Sequence, residues 1–227
     1  MSVAFSAKNL CCIRQDRCLF EGLGFELSSG EIVQVEGPNG AGKSSLLRIL
    51  AGFLTPESGE LYWEKEGQQQ ALGRDRSEFN EDLLFIGHKA AINPHMSAIE
   101  NVQFWMQLHH SQEHSSQVHD SHKSLPTTDE VFDLLGRLGL VGLEDVPTSQ
   151  LSAGQQRKVA LARLWLSKAK FWILDEPFTA IDKKGVSGLQ VKFQQHLDSG
   201  GMIVLTTHQD LTASFDRLKT VRLEYQF

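Results

Sequence analysis

No apolar run in the 227-residue sequence approaches the roughly eighteen residues that a membrane-spanning helix needs. The start, Met1-Ser2-Val3-Ala4-Phe5-Ser6, has no basic stretch followed by a long apolar core, so no signal peptide is expected. Both absences predict a cytosolic chain that meets a membrane only through a partner. Positive charge is in deficit as well: 22 Lys and Arg against 28 Asp and Glu give a net charge of −6, which argues against a broad nucleic-acid-binding surface. Cysteine is confined to Cys11, Cys12 and Cys18. Neighbouring strand residues point to opposite faces and no second Cys-x-x-Cys arm exists, so reduced thiols are expected rather than a zinc site.

What is present is ordinary for a globular protein, 41% hydrophobic and 22% charged, and long enough for one large domain or a core with a smaller lobe. The chain is organised around Ile32-Val33-Gln34-Val35-Glu36-Gly37-Pro38-Asn39-Gly40-Ala41-Gly42-Lys43-Ser44-Ser45-Leu46-Leu47. A buried strand leads into G-x-x-x-x-G-K-S, and a helix follows from Leu46 to Ala51. Glycines here let backbone N–H groups turn toward a phosphate, and the helix N-terminus adds its positive end. Lys43 is positioned to reach β- and γ-phosphates, and the Ser44 hydroxyl to take a place on Mg²⁺.

Elsewhere, residues 1–36 read as several short strands broken at Gly22, Gly24 and Ser28-Ser29-Gly30. Leu61–Glu64 reads as a strand, 66–81 as an exposed polar loop, and Leu83–Ile86 as a buried strand. Ser97-Ala98-Ile99-Glu100 is a capping box opening a helix through Leu108, and Thr127-Thr128-Asp129-Glu130 opens another. Between them, residues 109–122 hold five of the nine histidines without regular spacing or apolar cover, which predicts a solvated, mobile insertion rather than a metal site. A packed helix is expected over Gly154–Ser167, a buried strand over Lys170–Asp175, a helix over Lys184–Asp198 and a strand over Met202–Thr206. Strands alternating with helices imply a largely parallel sheet covered on both faces.

Four further pieces follow in order. Phe171–Leu174 ends in Asp175 and Glu176; the first suits Mg²⁺ and the second suits polarising a water. Leu151-Ser152-Ala153-Gly154-Gln155 stands before a helix, Ala180-Ile181-Asp182 follows the carboxylates, and Thr206-Thr207-His208 ends the next strand. Each alone has a bland reading, respectively a strand-end acid pair, a helix cap, a turn and a surface histidine.

In this order they resemble the motifs of the ATP-binding-cassette (ABC) ATPases, over nearly the whole chain. Gly37, Pro38, Asn39, Gly40, Ala41, Gly42, Lys43 and Ser44, with Ser45, are similar to the Walker A loop, and Ile173–Glu176 to the Walker B end. Leu151–Gln155, with Ser152, Gly154 and Gln155, resembles the signature, Ala180–Asp182 the D-loop, and His208 the switch histidine. The resemblance implies an α/β fold: a P-loop NTPase core with a mainly parallel sheet, an N-terminal antiparallel β lobe and an inserted helical lobe. Residues 1–227 would form one nucleotide-binding domain, with the helical lobe at about 89–150 and a His/Ser-rich insertion at about 109–126. It also implies ATP and Mg²⁺ as cofactors, with Ser44 and Asp175 at the metal and Glu176, His208 and Lys43 in hydrolysis. A homodimer with ATP at its interface and integral membrane transporter subunits as partners follow from the same likeness.

Three departures stand out. Where many relatives place an aromatic ring against adenine this chain has Arg14, whose guanidinium plane can stack on a base. His88 replaces the usual glutamine after Leu83–Ile86, and Ala153 replaces a common signature glycine. With Cys12-Ile13-Arg14, the run Leu151–Trp165 and the run Trp172–Ala180, these are similar to the ATP-binding subunits of bacterial cytochrome c maturation (haem exporter) transporters. That resemblance implies a peripheral protein on the cytoplasmic face of the inner membrane, coupling ATP hydrolysis to a haem-handling step. Another exporter's energy subunit, or a soluble ABC ATPase of translation or DNA repair, is the alternative. A P-loop kinase does not need Leu151–Gln155.

Overall fold

The apolar runs on either side of the phosphate-loop motif share one hydrophobic core in the computed structural model, which describes residues 3–73, 76–113 and 125–225. In chain order the elements are β1 (Val3–Arg14), β2 (Arg17–Ser28), β3 (Ile32–Glu36), α1 (Lys43–Leu50), β4 (Ser58–Lys65), β5 (Gln68–Ala71), α2 (Ser77–Glu81) and β6 (Leu83–Ile86). There follow α3 (Ala98–Glu113), α4 (Thr128–Arg137), α5 (Ala153–Leu161), α6 (Arg163–Leu166), β7 (Phe171–Asp175), α7 (Lys183–Asp198), β8 (Met202–Thr206) and β9 (Leu218–Arg222). They fall into two compact units, one of Met1–His88, Lys168–Phe178 and Leu189–Phe227, the other of Lys89–Ser167 and Thr179–Gly188.

The first unit holds both sheets: an antiparallel one in the order β2-β1-β4-β5 and a second in the order β6-β7-β8-β3-β9. Every pairing in the second sheet is parallel. Strands β7 and β8 are buried at every residue, as central parallel strands must be when both faces are covered. Leu46, Leu47, Ile49 and Leu50 of α1 share one core with Phe5, Trp63, Phe79 and Phe171. Phe5 and Phe171 rings lie 4.8 Å apart and Trp63 meets Phe79 edge-on at 5.3 Å, an aromatic cluster joining strands of the two sheets.

Two expectations about this unit are corrected. Residues 1–36 form two twelve-residue strands before β3, because register shifts between Ala7 and Ile13 absorb irregularities instead of ending the strands. Residues 66–81 are not a loop: Gln68–Ala71 pairs with β4, and α2 buries Phe79. The sheet also gains β9, pairing with β3.

In the second unit, α3, α4 and α5 pack Ala98, Val102, Met106, Val131, Leu135 and Val159 together. Both expected capping boxes form. Ser97 N–H donates to Glu100 at 2.7 Å and Glu100 N–H to Ser97 Oγ at 3.2 Å, while Thr127 and Glu130 pair reciprocally at the start of α4. Helix α3 continues past Leu108 to Glu113, and the packed helix expected over Gly154–Ser167 breaks at Ala162 into α5 and α6. The predicted histidine-rich insertion lies largely in 114–124, outside the described residues. No helix among the described residues is long and apolar enough to cross a membrane.

Candidate functional site

Strand β3 sits between β8 and β9, so the loop it feeds opens beside the C-terminal ends of β7 and β8. Gly37 leaves the strand at φ 147°, and a Cβ there would stand 2.5 Å from the Leu223 carbonyl oxygen. Only glycine fits that approach. Pro38, Asn39 and Gly40 form the exposed rim, Ala41 is buried, and Gly42 caps α1 in the left-handed region without a side-chain partner. The first N–H groups of α1, from Lys43, Ser44 and Ser45, are therefore left for an anion. The Lys43 ammonium lies across the loop, donating to the carbonyls of Gly37 at 2.6 Å and Pro38 at 3.2 Å.

The carboxylates come to the same place. Ser44 Oγ donates to Asp175 Oδ2 at 2.9 Å, and buried Thr206 donates from Oγ1 to Asp175 Oδ1 at 2.7 Å. The same Thr206 oxygen accepts from the Glu176 N–H at 2.9 Å. Glu176 takes φ 53°, a left-handed conformation that non-glycine residues hold only where surroundings enforce it. Its Oε1 lies 3.4 Å from Nε2 of the exposed His208. A hydroxyl and a carboxylate meeting at the loop are oxygen donors of the kind Mg²⁺ takes together with substrate phosphates, so the residues fit that ion. Among the described residues, no cluster of three or more His, Cys, Asp or Glu offers a further metal site.

Beside the loop lies a cavity of about 290 Å³, lined by Gln34, Glu36, Gly37, Lys43, Thr207 and His208, with Gln209 and Asp210. Gln34 is a buried amide between apolar Val33 and Val35, and it donates to the Gln209 carbonyl at 3.2 Å, holding the segment after His208. Gln34 and Thr206 escaped the motif reading; the available signals were a polar residue in a buried strand and a threonine ending one. Tyr225 was missed as well. Its hydroxyl donates to the Asn39 carbonyl at 2.6 Å, and Arg17 lies over its ring at 5.1 Å.

The remaining candidates are carried by other elements. Arg14 is exposed at the end of β1, opposite Arg17, and His88 is exposed just after β6. In the second unit Ser152 caps α5, its N–H donating to Gln155 Oε1 at 2.8 Å and its Oγ accepting from Gln155 N–H at 3.3 Å. A Cβ on Gly154 would collide with the Ala180 carbonyl, which brings the D-loop-like segment against the start of α5. The Gly185 N–H and Lys158 hold the Asp182 carboxyl below its usual range.

The family model described as ABC transporter matches residues 20–179. A protein of Vibrio cholerae named cytochrome c biogenesis ATP-binding export protein CcmA is 48% identical over 95% of this chain and 96% of its own length. The protein of that name from Yersinia pestis is 49% identical over 96% and 91%. Among solved structures, the dimeric post-hydrolysis state of the ATP-binding cassette MJ0796 bound to ADP and Pi superposes with a TM-score of 0.76. That similarity covers 98% of this chain and 97% of the other at 20% identity, a likeness of fold.

Proposed function

The chain belongs to the ABC transporter family, and from that premise we propose that it is the ATP-hydrolysing subunit of a transporter serving cytochrome c biogenesis. The observation that carries the catalytic part is the convergence of Ser44, Asp175, Glu176 and His208 at the lip of the phosphate loop. The relatives' printed names and near-complete shared length support the pathway.

In this reading the N–H groups of residues 40–45 and the Lys43 ammonium take the phosphates of ATP. Ser44 and Asp175 hold Mg²⁺, which when bound offsets the negative charge of the β- and γ-phosphates. Glu176 polarises the attacking water, with His208 beside it to meet the γ-phosphate. Ser152, Gly154 and Gln155 serve a second copy's nucleotide, so the working unit is a homodimer with ATP at its interface. Arg14 stands by the base and His88 near the metal. The same reading makes residues 1–227 one nucleotide-binding domain with its helical lobe at about 89–150. It also makes the protein peripheral to the cytoplasmic face of the inner membrane, bound to integral membrane subunits.

The test is complementation of a strain lacking this chain. The wild-type gene is expected to restore covalent haem attachment to c-type cytochromes and Lys43→Ala is not, with b-type haem proteins loaded throughout. Normal c-type cytochromes in the deletion strain would reject the pathway and leave the ATPase assignment to be judged by hydrolysis.

A further inference from the structure

Thr206 ends β8, fully buried, and its one hydroxyl sits between two groups that hydrolysis needs in fixed places. As a donor it engages Asp175 Oδ1 at 2.7 Å, leaving Oδ2 turned to the Ser44 hydroxyl. As an acceptor it takes the Glu176 N–H at 2.9 Å. A hydroxyl has one proton to give and lone pairs to receive, so both bonds form at once. The second bond closes on the residue whose backbone is at φ 53°, and Asp175 is paired directly opposite Thr206 across β7 and β8. The neighbouring β8 positions, Met202 to Leu205, are all apolar and buried, so packing alone does not account for a hydroxyl here.

We infer that Thr206 is a positioning residue for ATP hydrolysis, its hydroxyl fixing the direction of the Asp175 carboxylate and the backbone turn that presents Glu176. This rests on the ATPase reading above. Thr206 itself touches no reacting atom; it acts through the two acids. Loss of the hydroxyl removes one of the bonds that orient Asp175 toward Ser44 and one of the contacts that hold the strained turn. Misplacement of catalytic groups by about 1 Å costs up to roughly 10²-fold in rate.

The experiment measures steady-state ATP hydrolysis by the full chain, with ATP affinity, Mg²⁺ dependence and thermal unfolding, for wild type, Thr206→Val, Thr206→Ser and Thr206→Ala. Val keeps the shape and loses the hydroxyl; it is expected to lower kcat by about 10- to 100-fold, with ATP affinity little changed and more Mg²⁺ needed for half-maximal rate. Ser keeps the hydroxyl and is expected to retain most of the activity despite losing a methyl group. Should Val fail to fold, Ala and Ser share the lost methyl and differ only in the hydroxyl, so their ratio of kcat isolates it. Equal rates for Ala and Ser, or a Val variant as fast as wild type, would overturn the inference. Rates that follow thermal stability, with Ser as impaired as Val, would do the same. A wild-type chain that does not hydrolyse ATP would instead overturn the ATPase reading, and this inference with it.

Discussion

His196 lies flat on Trp172, ring centroids 3.6 Å apart and planes 8° from parallel, inside the first unit. Burial pushes its imidazole from the ordinary 6.5 down to about 4, with Lys192 and Lys170 adding repulsion against backbone hydrogen bonds that favour the charged form. Between those two pH values the unfolded chain binds a proton that the folded chain refuses. Stability therefore falls as pH drops through that window, by up to about 3 kcal/mol at its lower end. Thr206 and Gln34 share with His196 a property that residue identity does not announce. Their roles depend on atoms distant in sequence, Asp175 for one and Gln209 for the other. We predict that His196→Phe, which keeps the stacked ring and cannot be protonated, flattens the decline of Tm from neutral pH to about pH 4. An unchanged pH slope would assign the acid sensitivity to other groups.

At the scale of elements, the second unit joins its apolar face with one buried amide that ties a loop to a helix. Asn101, buried in the first turns of α3, accepts from the Asn93 N–H at 2.7 Å and donates to the carbonyls of Asn93, Met96 and Ser97. These bonds draw the preceding loop onto the helix. Asn101→Ala takes the side-chain acceptor from the Asn93 N–H, while the three carbonyls keep other donors, and is expected to destabilise the chain by about 1–3 kcal/mol, read by urea unfolding. A loss below about 0.5 kcal/mol would show that the loop is held by other contacts. Elements with strong side-chain patterns were the ones legible in the sequence. Strands β3, β7 and β8 are covered on both faces and read as mainly apolar runs, and the two capping boxes announce α3 and α4. Strands β5 and β9 gave no such signal. Gln68–Ala71 is exposed at every residue and β9 buries only Val221, so both are held by backbone ladders at sheet edges that composition does not report. The phosphate loop and the Asp175–Glu176 pair were readable because their chemistry is written in contiguous residues. The hydroxyl between the two acids was not.

For the whole molecule, one copy each of the phosphate loop and the signature-like segment means that a two-site enzyme needs two chains. If ATP binds the proposed closed dimer better than separate chains, it must shift the population toward the dimer, and hydrolysis is expected to reopen it. Replacing Glu176 by Gln keeps its size while removing the carboxylate that would polarise water, and leaves Lys43, Ser44 and Asp175 to bind ATP with Mg²⁺. The most direct test of the account is hydrolysis by Glu176→Gln together with its mass by size-exclusion chromatography and light scattering, with ATP and Mg²⁺, with ADP, and without nucleotide. The account predicts a rate reduced by about 10²- to 10⁴-fold and a dimer only with ATP and Mg²⁺. Hydrolysis at the wild-type rate, or a variant that stays monomeric with ATP and Mg²⁺, would contradict it.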